Sequence, residues 1–107
     1  MKRGMIYWIN LSDAHPPELG KMRPGLIVSN SVQNNLLPTV VIIPISSRPH
    51  AIWPLRLEFK MPSGKNSYLV IPGIRQVSTE RLGDTIGELP NSLLEKVGEA
   101  LTLYLSD

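Results

Sequence analysis

The chain has 107 residues, 42% of them hydrophobic and 19% charged, with no cysteine and a formal charge of +2. That is the composition of one globular domain spanning residues 1–107. It excludes intrinsic disorder, disulfides, thiolate metal sites and cysteine nucleophiles. No apolar run approaches the roughly 20 residues that cross a bilayer, and Met1-Lys2-Arg3-Gly4 leads into no signal-peptide pattern, so the expectation is a soluble cytoplasmic protein without a membrane partner.

Ten prolines and eight glycines cut the chain into short runs, the punctuation of a mainly β fold. Met5 to Leu11 (MIYWINL) reads as a strand, and Ser12 to Pro24, with Pro16, Pro17 and Gly20, as a loop. Gly25 to Ser29 predicts a short buried strand and Asn30 to Pro38 a polar loop. Thr39 to Ile45 (TVVIIPI) is β-branched and almost wholly apolar, the expected central strand. Pro44 inside it removes a ladder donor and predicts an edge or a bulge that presents the following Ser46.

Leu55 to Lys60 alternates apolar and charged residues, as a half-buried antiparallel strand does. Pro62 to Asn66 predicts a hairpin, Tyr68 to Ile71 and Ile74 to Val77 two further strands, and Thr85 to Leu89 a last one. A helical turn is expected after Ser78. Leu93, Leu94, Val97, Leu101, Tyr104 and Leu105 recur at helical spacing, with Asn91 as N-cap or Pro90 as first helical residue. The fold class is therefore mainly β with a C-terminal α-helix: a small twisted antiparallel sheet or barrel with one amphipathic helix packed on it.

Charge is unevenly placed. Between Lys21 and Arg75 there are seven basic residues and a single acid, Glu58. Most catalytic templates are missing: two histidines give no HExxH zinc motif, and there is no glycine-rich phosphate loop. What remains is Arg23 after the first loop and Ser46-Ser47-Arg48 at the end of the central strand. A guanidinium and a hydroxyl there suit a phosphate. A surface ion pair for Arg23 and a polar strand end for the serines are the competing explanations, and spacing alone favours them.

The order of segments adds weight to the phosphate. Arg3-Gly4-x-Ile6-Tyr7-Trp8, then Arg23-Pro24-x-Leu26-Ile27-Val28, then Val40-Val41-Ile42-Ile43-Pro44-Ile45-Ser46-Ser47, then Ile74-Arg75-x-Val77 with Arg81-Leu82, resembles the MazF/PemK (Kid) toxins of type II toxin–antitoxin pairs over nearly the whole chain. The resemblance implies an SH3-like or CcdB-like barrel, a homodimer, an acidic antitoxin as partner, and cofactor- and metal-independent cleavage of single-stranded RNA by its own 2′-hydroxyl. It implies catalytic roles for Arg23 and Ser46. RNA-binding or transition-state support falls to Arg75, Ser47, Arg48, Glu18 and His50.

Three departures stand out: Met5 where the family carries an acid, the altered first loop from Pro16 to Lys21, and Pro72-Gly73 where the family has Asp-Gln. With that Asp gone, His15 or His50 is the candidate base. The alternatives are an inactive antitoxin- or RNA-binding relative, a CcdB-like gyrase poison, or an SH3-like peptide binder. The first is favoured by the lost Asp. The second is opposed by a last helix ending Tyr104-Leu105-Ser106-Asp107, and the third by a scarcity of aromatics.

Overall fold

The computed structural model describes all residues, 1–107. Seven strands run in the order β1 (Met5–Asn10), β2 (Met22–Ile27), β3 (Thr39–Ser46), β4 (Arg56–Lys60), β5 (Asn66–Val70), β6 (Arg75–Ser78) and β7 (Leu82–Glu88). Helix α1 (Ser31–Leu36) lies between β2 and β3, and α2 (Asn91–Tyr104) ends the chain. All pairings are antiparallel, in the spatial order β4-β5-β3-β2-β1-β7, with β6 also on β3. The expected mainly β architecture with its C-terminal helix is what forms.

The apolar run of β3 has a simple cause: this strand is covered on both faces. Val40 and Ile42 enter a cluster with Ile9, Leu11, Ile27 and Val77. Ile43 and Ile45 enter a larger one with Leu26, Phe59, Leu69 and the α2 residues Val97 and Ala100. Alternate side chains of one strand thus fill two cores, so no polar position is left in its centre. At the far end, Gly87 of β7 lies against Pro62 of the β4–β5 turn. A Cβ on Gly87 would stand 2.6 Å from the Pro62 ring, and this close approach brings the two outer strands of the sheet together.

Several boundaries differ from expectation. β2 starts at Met22, not Gly25, because Met22, Arg23 and Pro24 pair with Asn10, Ile9 and Trp8 of β1. The ladder with β3 begins only at Gly25, so Pro24 needs no donor on that side. Residues 31–36 form a helix rather than a loop, since the Asn30 side chain accepts the Gln33 backbone N–H at 3.1 Å and caps it. Pro90, with no side-chain bond, precedes α2, and Asn91 is its first residue rather than its cap. Leu105 falls outside the helix and is exposed, while Ala100 takes the buried place. The last strand begins three residues earlier than expected, at Leu82. The short turn after Ser78 forms as expected, capped by the Ser78 side chain.

Pro44 is neither at an edge nor in a bulge. It is fully buried in the middle of the sheet, opposite Gly25. Its missing N–H is tolerated because β3 changes partner there: Ile42 pairs with Arg75 of β6, whereas Ile45 pairs with Leu69 of β5. The 3-10 turn Ile71–Gly73 crosses that gap, and a Cβ on Gly73 would stand 2.5 Å from Cγ of Pro44. Pro72-Gly73 therefore has a packing role.

Candidate active site

The β2–β3 register sets the site. Gly25 faces Pro44 at the end of this ladder, and Arg23, two residues before Gly25, lines one cavity with Ser46, two residues after Pro44. The Nε–H of Arg23 donates to the Gly20 carbonyl at 2.8 Å. This bond fixes the side chain at its ε nitrogen and leaves both terminal nitrogens free for a ligand. Ser46 is only 2% exposed. Its Oγ accepts the Arg48 backbone N–H at 3.1 Å, so the hydroxyl hydrogen remains available to donate.

Arg23, Ser46, Ser47 and Arg48 line one cavity of about 280 Å³, with Pro17 and Glu18 of the first loop opposite. Five of the seven residues singled out in the sequence thus meet in one place. Two do not. Arg75 lies in a neighbouring cavity of about 320 Å³, against Pro44, Pro72 and Gly73. Pro17, Glu18 and Leu19 belong to the walls of both cavities, so the loop stands between them. His50 is absent from either lining. Its carbonyl accepts the Arg56 Nε–H at 3.0 Å, and the residue is exposed.

Electrostatics here are those of paired and unpaired cations. Arg75 donates through both terminal nitrogens to the two carboxylate oxygens of Asp13, at 3.3 and 3.1 Å. Arg81 adds a third bond to Asp13 at 3.0 Å. The hydrogen bond from Arg75, helped by the charge of both arginines against a smaller desolvation cost, holds the Asp13 carboxyl below its ordinary value of 3.8. Arg23 and Arg48 have no acidic partner within ion-pair distance. Tyr68, opposite Ser46 on β5, donates to Glu58 at 3.1 Å. Burial and this acceptor raise the phenol above 10.0, so it stays neutral.

Three features around these cavities were not singled out as site residues from the sequence. Arg56 ties down the segment after Ser46, donating to the Arg48 and His50 carbonyls at 2.6 and 3.0 Å with its guanidinium over the Tyr68 ring. Trp8, 42% exposed, lines a larger groove of about 490 Å³ with Met22, Met61 and Lys65. That groove shares Arg23 and Ser47 with the first cavity. Asp13 is the third. None of these carried a local signal, because each depends on which strands become neighbours.

The chain as a whole has counterparts among known proteins. The family model for the PemK-like, MazF-like toxin of type II toxin–antitoxin systems matches residues 2–105. The chain is 30% identical to the endoribonuclease EndoA of Bacillus subtilis (strain 168) over 110 residues, covering 99% of this chain and 95% of that protein. It is 29% identical to the endoribonuclease MazF of Staphylococcus saprophyticus, covering 98% and 91%. Among solved structures, a mycobacterial endoribonuclease in complex with its cognate antitoxin superposes with a TM-score of 0.81 at 25% identity, covering 100% of this chain and 98% of that one. MazF of Deinococcus radiodurans has the same fold, with a TM-score of 0.85 at 22% identity, covering 98% and 96%.

Proposed function

The chain belongs to the PemK-like, MazF-like toxin family of type II toxin–antitoxin systems, and from that premise we propose that it is an endoribonuclease toxin that cuts single-stranded RNA at preferred sequences and so arrests translation in the cytoplasm. The observation that carries this is the meeting of Arg23 and Ser46, a free guanidinium end and a free hydroxyl hydrogen, in one cavity with Arg48.

The reaction runs on the substrate's own nucleophile. The 2′-hydroxyl gives up its proton to a base and attacks the adjacent phosphorus, a phosphorane forms, and the 5′-oxygen leaves, taking a proton from water. The products are a 2′,3′-cyclic phosphate and a 5′-hydroxyl. Charge grows on the non-bridging oxygens, where Arg23 and the Ser46 hydroxyl act as fixed donors. A guanidinium is a cation with five N–H donors and no acceptor, so Arg23 stabilises charge rather than serving as base. Glu18 is the one carboxylate lining this cavity and the group there able to accept the 2′-hydroxyl proton. Ser47 and Arg48 add donors, and Arg75 holds RNA beside the reacting phosphate. No cofactor or metal-bound water is needed, because the nucleophile arrives with the RNA.

The partners follow from the same surface. The groove with Trp8 and Lys65 offers a stacking face and a cation to an adjoining nucleotide. An antitoxin with an acidic segment would cover these unpaired cations, as an antitoxin accompanies the mycobacterial relative. The working assembly is a homodimer.

The test is cleavage of a long unstructured RNA in EDTA, with analysis of product ends, for wild type, Arg23→Ala and Ser46→Ala. The expected result is 5′-hydroxyl ends from the wild type and collapse of activity in both variants. No cleavage by folded wild-type protein at any salt would favour the inactive binding relative instead.

A further inference from the structure

The Leu11–Lys21 loop is closed at its base by the Leu11 N–H on the Lys21 carbonyl, at 2.8 Å. Inside it the bonds are local: Ala14 to Leu11, Glu18 to His15, and the His15 N–H to the Glu18 side chain. Between Ser12 and Leu19, Asp13 alone makes hydrogen bonds to residues distant in sequence; the Ser12 N–H reaches only the adjoining Asn10 side chain. Its partners come from 62 and 68 residues away, Arg75 of β6 and Arg81 of the turn after it.

Two properties of this contact suggest a temporary one. The carboxylate meets the guanidinium fork of Arg75 with two parallel bonds, the geometry in which arginine also binds a phosphate. The side chains are open to water, Asp13 at 44%, Arg75 at 30% and Arg81 at 33% exposure, so the ion pairs are weak and exchangeable. Arg75 stands opposite Ile42 and Ser46 lies four residues further along β3, about 13 Å at strand rise. A phosphate taken by Arg75 can then belong to the same short stretch of strand as the one facing Ser46.

We propose that Asp13 is a latch: in the RNA-free protein its carboxylate holds the place of an RNA phosphate on Arg75 and Arg81 and keeps the first loop closed, and bound RNA displaces it. This rests on the ribonuclease assignment above, because the displacing ligand is the phosphodiester of single-stranded RNA. The latch itself is a property of the free protein and can be tested without RNA.

Two measurements on the intact chain separate these points. The first is limited trypsin cleavage at Lys21, an exposed loop residue followed by Met22. The second is binding of a 2′-O-methyl single-stranded RNA, which cannot be cleaved, followed by fluorescence anisotropy across a salt series. Asp13→Asn is expected to speed cleavage at Lys21 and to tighten RNA binding roughly three- to tenfold. The slope of log affinity against log salt should stay about the same, because displacement gives the wild type the same phosphate contacts as the variant. Asp13→Glu, which keeps the carboxylate, should restore most of both. Unchanged cleavage at Lys21 overturns the latch. Faster cleavage with equal or weaker RNA binding overturns displacement and makes Asp13 a positioning residue for Arg75. Failure of every form to bind RNA overturns the functional assignment, while the trypsin result still decides whether Asp13 closes the loop.

Discussion

The Oγ of Ser46 accepts the backbone N–H of Arg48 at 3.1 Å, so one of its lone pairs is occupied and its hydrogen is not. A hydroxyl held in this way is oriented before substrate arrives. Ser46→Ala removes the donor, and a loss of about 10²–10³ in turnover is expected, the magnitude for one fixed donor at a developing oxyanion. Arg48 is exposed, so water replaces the lost acceptor and the melting temperature should hardly move. Ser46→Thr keeps the hydroxyl and should retain activity. Single-turnover cleavage of the three forms, with thermal melts alongside, checks this. Equal rates for Ser46→Ala and wild type would remove Ser46 from the reaction.

The groove next to that cavity supplies a second expectation. Trp8 is 42% exposed on a strand whose Ile6 and Ile9 are buried, and it shares the groove with Lys65 and Arg23. Base stacking on an aromatic face is worth about 1–3 kcal/mol. Trp8→Ala should therefore weaken uncleavable single-stranded RNA by roughly tenfold, with little change in the salt slope, because no charge is lost. Lys65→Ala should weaken binding too, but with a salt slope lowered by about 0.7. Identical affinity and slope in both variants would place the RNA elsewhere.

Much of this was legible in the sequence, for local reasons. The apolar run Thr39–Ile45, the alternation around Leu57 and Phe59 and the helical spacing of Val97 and Leu101 are set by nearest neighbours, and each element formed. The choice of Arg23 and Ser46 came from the order of motifs rather than from spacing, and the two residues line one cavity. What sequence could not give depends on which distant segments meet. Pro44 pointed to an edge until the change of partner from β6 to β5 explained it. Asp13 carried no signal, since its partners lie 62 and 68 residues away. His50 looked close to Ser46 in sequence, yet Arg56 draws its carbonyl to the segment beyond the cavity.

Gly73 and Pro44 form a tight contact that is testable by stability alone. A Cβ at position 73 would stand 2.5 Å from Cγ and 3.0 Å from Cδ of the Pro44 ring. The ring is buried in the central strand and has little room to move. Gly73→Ala should cost about 1–3 kcal/mol by overpacking, read as a lower urea midpoint with unchanged slope. Adding Pro44→Ala should return part of that loss, so the two changes together cost less than their sum. Full additivity would show that the two residues do not press on each other.

The last expectation concerns acid. The hydrogen bond from Arg75, with the charge of Arg75 and Arg81, lowers the Asp13 carboxyl below 3.8. A depressed carboxyl contributes its stabilisation above the unfolded value and loses it as pH falls through the folded one. The loop contact is therefore complete at neutral pH and stays so down to about the ordinary carboxylate range, and it opens only in stronger acid. A carbon-detected NMR titration of the Asp13 carboxyl should show a midpoint under 3.8 in wild type. In Arg75→Gln the midpoint should move up toward 3.8, with Arg81 left as the only cation on Asp13. A wild-type midpoint at or above 3.8 would mean that the fork between Arg75 and Asp13 is not formed in solution, and the closed loop would then need another cause.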